Sequence, residues 1–173
     1  EDLSTWYLRR SRDRKGDDEF YSTLHEILVT FTKVMAPIAP FIAEEIYKNL
    51  TGEESVHLEN WPGEGPVNEK FLVDMVTVRK ICELGHAARK TSSLRVRQPL
   101  AKITINKKLP ESLIQLIKDE LNVKEVKVGA LELELDTNLT PELIDEGKAR
   151  DLIREIQDAR KEMGTSLDEK VVV

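Results

Sequence analysis

Residues 35–41 read Met35-Ala36-Pro37-Ile38-Ala39-Pro40-Phe41, and they separate two patterns of helical spacing. Each proline removes a backbone donor and disfavours helix in the residue before it, so a first helix is expected to end here. Pro40 suits the first turn of the next helix, because its fixed φ and missing N–H cost nothing at that position. The run therefore predicts two helices that are joined by a short connection and lie as antiparallel neighbours.

Apolar residues recur at helical spacing on both sides of this connection and again after residue 68. Three helices with matched apolar stripes predict an antiparallel helical bundle. The connection between the second and third helices contains a short piece, residues 56–62, that is predicted to be extended. The stripes consist of Phe20, Leu24, Ile27, Phe31 and Val34, then Ile42, Ile46 and Leu50, then Leu72, Met75, Val78 (or Val76), Cys82 and Gly85.

The apolar spacing changes from a helical period to alternation beyond residue 99. Ile103 and Ile105 alternate as in a strand, and residues 123–128 and 131–135 predict two strands that meet at a turn at Gly129-Ala130. Residues 171–173 are expected to form a closing strand. Helices are expected to start at Pro110 and at Thr140-Pro141, by proline and capping preference.

These patterns predict a mainly α protein, in which a helical bundle over residues 1–93 is followed by a small α/β part over residues 94–173. The single cysteine, Cys82, indicates a core position and a reducing compartment. No stretch approaches the 18 uncharged apolar residues of a membrane span, which favours a cytoplasmic protein. Helical spacing already runs from the first turn, so the chain is interpreted as a piece of a longer protein.

Cations are concentrated in two segments of an otherwise acidic chain. The chain has 26 Lys and Arg against 32 Asp and Glu, yet residues 9–15 hold five cations and one acid, and residues 79–102 hold seven cations and one acid. A local positive field attracts a phosphate backbone even when the net charge is negative. The candidate RNA-binding residues are Arg9, Arg10, Arg12, Arg14, Lys15, Arg89, Lys90, Arg95 and Arg97.

Internal pairing is the alternative for these cations. Arg9 and Arg10 precede Asp13 by four and three residues, which is the spacing of helix ion pairs. The acids Glu44-Glu45 offer further partners on another helix. The cations between residues 89 and 97 fall in or beside a predicted break, where side chains are expected to reach outward.

No motif in the sequence supports a reaction. The chain has no glycine-rich phosphate loop after a strand, no paired carboxylates in a defined setting and no nucleophile with an evident base. His25, His57 and His86 are too scattered to form a metal site. The residues alone therefore predict a helical module that binds a folded polyanion, with no catalytic residue, metal or cofactor of its own.

Several motifs resemble the C-terminal region of class I isoleucyl-tRNA synthetases, in the same order and at the same spacing. Lys15-Gly16 departs from the family, which commonly has an aromatic pair there. The proline-bracketed helix start is shared with valyl and leucyl enzymes. The motifs are Trp6-Tyr7-Leu8-Arg9-Arg10-Ser11-Arg12-Asp13-Arg14, Ala36-Pro37-Ile38-Ala39-Pro40-Phe41-Ile42-Ala43-Glu44-Glu45-Ile46-Tyr47, Val56-His57-Leu58-Glu59-Asn60-Trp61-Pro62, Val96-Arg97-Gln98-Pro99-Leu100, Glu120-Leu121-Asn122-Val123-Lys124-Glu125-Val126, and Glu146-Gly147-Lys148-Ala149-Arg150 with Arg160-Lys161-Glu162.

The resemblance implies an anticodon-binding helical bundle of the class Ia type with a mixed α/β extension, and an isoleucine tRNA lying across the bundle. It implies a parent enzyme that attaches isoleucine to its tRNA with ATP and Mg²⁺ and releases AMP. The adenylate-site signatures and the editing domain are absent from these residues. The rest of the synthetase chain is therefore an expected partner, and we expect a monomer and no membrane partner. The alternatives are a packing module that braces the catalytic body or a partner protein, and the equivalent domain of a valyl or leucyl enzyme.

Overall fold

The computed structural model describes residues 2–12, 14, 16–129 and 133–165. This part of the chain is mostly helical, as the sequence predicts, and it contains one small mixed sheet of three strands. None of its helices is both long and apolar enough to cross a membrane.

The helices and strands are numbered here in chain order. A π-helical segment spans Asp2–Leu8, and a 3₁₀ turn spans Val56–Leu58. The α-helices are α1 (Asp18–Met35), α2 (Pro40–Thr51), α3 (Glu69–Thr91), α4 (Glu111–Leu121) and α5 (Pro141–Glu162), and the strands are β1 (Leu100–Ile105), β2 (Val123–Val128) and β3 (Glu134–Leu135).

Contacts between Cα atoms divide the chain into two compact units, Glu1–Pro66 and Val67–Val173. The helix α3 belongs to the second unit, where it packs against α4 and β3. The division into a bundle over residues 1–93 and an α/β part over residues 94–173 stays a prediction.

The main helix of the first unit, α1, begins directly after Asp17. The Asp17 carboxylate accepts hydrogen bonds from the amides of Glu19 and Phe20, at 3.0 and 3.2 Å, and so caps α1. The helix ends at Met35, and α2 begins at Pro40, as the two prolines predict.

The helices α1 and α2 pack through different faces from those the apolar stripes indicate. Ile42 is 56% exposed, whereas the next residue, Ala43, is fully buried. Likewise Phe31 is 55% exposed and Thr32 is 1% exposed. The distance between packed helices depends on the side chains at their contact, so small residues on the inner faces allow a close approach. The core of this unit consists of Ala36, Ala43, Tyr47 and Val56, with Val29 and Met35 packed against it.

The first three residues of the piece predicted to be extended, Val56–Leu58, form the 3₁₀ turn instead. One Glu44 carboxylate oxygen accepts hydrogen bonds from the Ser55 hydroxyl and the Val56 amide, at 2.9 Å each. The other oxygen accepts from Lys48 at 2.8 Å. The bond from Lys48, with those from the turn, lowers the pKa of Glu44 to about 2. Glu44 therefore ties the turn to α2.

In the second unit β1 is the central strand, and the sheet order is β2-β1-β3. β1 pairs parallel with β2 and antiparallel with β3. The predicted hairpin between residues 123–128 and 131–135 is therefore wrong, because both strands pair with β1. The parallel pair is joined through α4, as a parallel connection requires a crossover. Residues 130–132 and the predicted strand at 171–173 lie outside the described residues.

The core of the second unit lies between its helices and the sheet. Cys82 on α3 is buried, as predicted. A Cβ on Gly85 would lie 2.5 Å from Leu121 Cδ1, so glycine allows α3 to approach α4. The fully buried apolar residues of this unit include Val78, Leu100, Ile103, Ile105, Ile117 and Leu121.

Candidate nucleic-acid interface

The connection between α3 and β1 carries Arg95 and Arg97, and side chains from elsewhere hold its backbone. Arg89 Nη1 donates to the carbonyls of Arg95 and Gln98, at 2.9 Å each. Asn122 Nδ2 donates to the carbonyls of Val96 and Arg97, at 3.0 Å each. The carbonyls of residues 95–98 thus all accept a side-chain hydrogen bond. This four-residue segment, called here the pinned segment, presents its side chains from a fixed backbone.

Arg89 is an internal clamp. Its side chain is 1% exposed, which corrects the expectation that it reaches outward. Nε and Nη2 donate to the Leu121 carbonyl at 3.0 and 2.5 Å, and Nη2 also donates to the Asn122 carbonyl at 3.0 Å. Leu121 ends α4, where carbonyls lack helical partners and a cation is favourable. Burial lowers the pKa of Arg89 to about 10, so the guanidinium stays charged near neutral pH.

The helix α5 is fastened to the pinned segment through Gln98 and Asn122. Gln98 Nε2 donates to the Leu143 carbonyl at 2.6 Å. Asn122 Oδ1 accepts from Arg150 Nη1 at 2.7 Å. A Cβ on Gly147 would lie 2.2 Å from Gln98 Oε1, so only glycine admits this close approach. One face of α5 is therefore fixed beside the pinned segment.

Arg95 and Arg97 remain accessible although each has an acidic neighbour. Asp151 on α5 places one carboxylate oxygen 3.4 Å from Arg95 Nη1 and the other 3.4 Å from Arg97 Nη1. The side chains of Arg95 and Arg97 are 76% and 41% exposed. Long, solvated ion pairs of this kind contribute little energy, so a phosphate can compete for both guanidinium groups. Lys90, in the last turn of α3, is also exposed.

The N-terminal candidates lie in the first unit. Arg9, Arg12 and Arg14 are exposed, and Arg10 is half-buried. Arg9 Nε donates to the Thr5 carbonyl at 2.7 Å. Lys15 lies outside the described residues, and so does Asp13, the acid at ion-pair spacing from Arg9 and Arg10.

Two of these arginines have neighbours that sequence reasoning did not name. Arg14 Nε pairs with Asp17 Oδ2 at 2.7 Å, and this hydrogen bond raises the pKa of Arg14 and lowers that of Asp17. The Arg9 guanidinium carbon lies 5.9 Å from the centroid of the Trp6 ring, and Trp6 is half-buried.

Comparison with known proteins assigns the family. Residues 1–105 match the family described as the anticodon-binding domain of tRNA ligase. The chain belongs to this family. The second unit supplies residues 67–105 of the matched region, including the pinned segment.

Isoleucine–tRNA ligases are among the similar proteins, which confirms the resemblance to the anticodon-binding region of isoleucyl-tRNA synthetases. The enzyme of Chlamydia trachomatis serovar D is 48% identical over 145 residues, which cover 73% of this chain and 14% of that protein. The Clostridium tetani enzyme is 39% identical over 186 residues, which cover 98% of this chain and 18% of that protein. The Deinococcus radiodurans enzyme is 44% identical over 154 residues, which cover 80% of this chain and 14% of that protein. The chain spans less than a fifth of the length of these relatives.

In the second unit, three separate motifs of the resemblance meet at one place. The motif at residues 96–100 contributes the pinned segment, and the motif at residues 120–126 contributes Asn122. The motif at residues 146–150 contributes Gly147 and Arg150. Sequence reasoning missed Arg89, which donates to carbonyls of the first two of these motifs. Its position four residues after Gly85 continues the buried spacing of Val78, Cys82 and Gly85, and that is the signal that indicates it.

Proposed function

We propose that this chain binds the anticodon stem and loop of an isoleucine tRNA. The observation that carries the proposal is the pair of exposed guanidinium groups of Arg95 and Arg97 on a backbone held by hydrogen bonds. A guanidinium matches phosphate geometry in a bidentate contact, and a fixed backbone lowers the entropy lost on binding. Phosphate contacts of this kind position the RNA, and contacts to bases specify it.

The wider setting belongs to the same proposal. The family and the similar isoleucine–tRNA ligases support a parent enzyme that attaches isoleucine to its tRNA. We propose that this enzyme works in the cytoplasm and uses ATP and Mg²⁺. The helices before residue 93 would form the antiparallel bundle of class Ia enzymes. No group of three or more His, Cys, Asp or Glu residues in the described part of the chain is arranged to hold a metal ion, and no step of binding is assigned to one.

The test is the salt dependence of stem-loop binding. Replacing Arg95 and Arg97 by Gln should lower the slope of log K against log salt by roughly 0.7 to 0.9 for each lost phosphate contact. The matched control is Arg154→Gln, because Arg154 is an exposed arginine of α5 that also pairs with an aspartate, Asp158, at 3.1 Å. The control should keep the original slope. An unchanged slope in the Arg95 and Arg97 variant contradicts the assignment of these residues.

Two alternatives predict different results. A packing module would keep its stem-loop affinity when Arg9 and Arg10 are replaced but would lose thermal stability. A valyl or leucyl relative would prefer the corresponding tRNA in a competition among the three. The family match supports RNA binding over packing, and the similar ligases named above support isoleucine.

A further inference from the structure

A small cavity lies between the connection from α3 to β1 and the helix α5, within the second unit. Its volume is about 260 Å³, and its lining includes Leu94, Arg95, Gln98, Leu139, Gly147 and Asp151. This volume is slightly below the roughly 300 Å³ at which pockets for small molecules begin, so it suits one planar base rather than a whole nucleotide. Three of its seven lining residues, Leu139, Gly147 and Asp151, lie outside the residues that match the anticodon-binding family.

Both walls of this cavity are fixed by hydrogen bonds. Arg89 and Asn122 hold the pinned segment, which forms one wall. The bond from Gln98 Nε2 to the Leu143 carbonyl, and the close approach of Gln98 Oε1 to Gly147, hold α5 as the other wall. A preformed cavity binds without first ordering its own walls, which favours ligand entry.

The lining combines apolar surface with one acid and one guanidinium. Leu94 and Leu139 offer apolar contact to the face of a base, and the Arg95 guanidinium can stack on a base plane. Asp151 takes one long contact of 3.4 Å on each carboxylate oxygen, and each oxygen keeps a second acceptor direction. A carboxylate with both oxygens available matches two adjacent N–H donors.

Guanine is the standard RNA base that presents two adjacent donors, N1–H and the 2-amino group, on its Watson–Crick edge. We propose that this cavity binds one unstacked guanine of the RNA, with Asp151 accepting both donors. This inference rests on the proposed function, because the phosphates next to the base would lie on Arg95 and Arg97. It adds a base-reading site to their phosphate contacts.

The test compares guanosine with inosine, which lacks the 2-amino group. One set of RNA stem-loops carries a single guanosine at each loop position in turn, and the second set carries inosine at the same positions. At one position guanosine should bind roughly tenfold more tightly, the effect of one hydrogen bond to a charged group. Asp151→Asn should bring this ratio close to one, because an amide offers only one acceptor oxygen. The ratio is the readout, since removing a negative charge near two arginines should strengthen binding of every stem-loop.

The matched control is Asp158→Asn, which makes the same change two turns further along α5, where Asp158 pairs with Arg154 at 3.1 Å. It should leave the ratio unchanged, and circular dichroism should show both variants folded. If no loop position prefers guanosine, or if Asp151→Asn keeps the preference, the guanine site is wrong. In that case a salt dependence that still requires Arg95 and Arg97 preserves the proposed function. If binding shows no dependence on those arginines either, both proposals fail.

Discussion

Arg89 joins parts of the second unit that are distant in sequence, through five hydrogen bonds to four carbonyls. A Met at this position has a similar length but no donor, and each buried carbonyl left without a partner costs about 1–3 kcal/mol. We expect Arg89→Met to lower the free energy of unfolding by about 3–5 kcal/mol, measured by denaturant titration. Arg89→Lys should also destabilise the chain, because an ammonium has three donors and cannot reach all four carbonyls.

The neighbouring Lys90 supplies the control for this prediction. It has the same charge at the end of the same helix and is exposed, so Lys90→Met should change stability by less than about 0.5 kcal/mol. If Arg89→Met lowers the free energy of unfolding no more than Lys90→Met does, Arg89 does not act as a clamp.

The sequence shows four cations at residues 89–97, but it does not indicate which of them is buried. Arg89 and Arg95 both stand near a break in the helical pattern, and their residue type is the same. Their difference arises from the end of α4, whose carbonyls lie beside Arg89 only after folding. The buried spacing of α3 was the available signal, but it conflicts with the usual exposure of arginine.

The helix α5 is held at its contact with the pinned segment by Gln98 and Gly147. Helix propensity alone favours Ala over Gly by about 1 kcal/mol. The added Cβ, however, would displace a Gln98 side chain whose amide donates to the Leu143 carbonyl at 2.6 Å. We therefore expect Gly147→Ala to destabilise the chain by about 1–3 kcal/mol, as overpacking usually does.

A double-mutant cycle separates this steric effect from propensity. Gln98→Ala removes the atoms that the new Cβ meets, so Gly147→Ala in that background should be neutral or stabilising. The cycle should give a coupling energy above about 0.5 kcal/mol in denaturant titrations. Additive effects of the two substitutions would show that Gln98 does not limit the approach of α5.

The sequence predicted least well which strands pair with each other and which faces of the helices are buried. Residues 123–128 form a strand as predicted, and α3 and α5 begin where the sequence predicts. The hairpin was wrong because alternation identifies a strand but not its neighbour, and β1 lies between β2 and β3. The inner face of α2 was misassigned because Ala43 and Tyr47 pack there while the larger Ile42 stays exposed.

Over the whole chain, charge and motifs predicted the family, whereas the fixed geometry of the candidate site came from the structure. The motifs at residues 96–100, 120–126 and 146–150 are separate in sequence and meet through Arg89, Asn122 and Gln98. The two cationic segments lie in different compact units. Whether one RNA uses both segments therefore requires a measurement on the entire chain.

Three variants test whether the stem-loop contacts both segments: Arg12 and Arg14 to Gln, Arg95 and Arg97 to Gln, and all four together. If each pair contacts phosphates of the same RNA, the decreases in the slope of log K against log salt should add, to a total of roughly 3 for four lost contacts. Arg14→Gln keeps the cap of α1, because Asp17 accepts from the Glu19 and Phe20 amides through its other oxygen. Arg154→Gln again serves as the control. A pair whose replacement leaves the slope unchanged does not contact the RNA, and the proposed interface then contracts to the other segment.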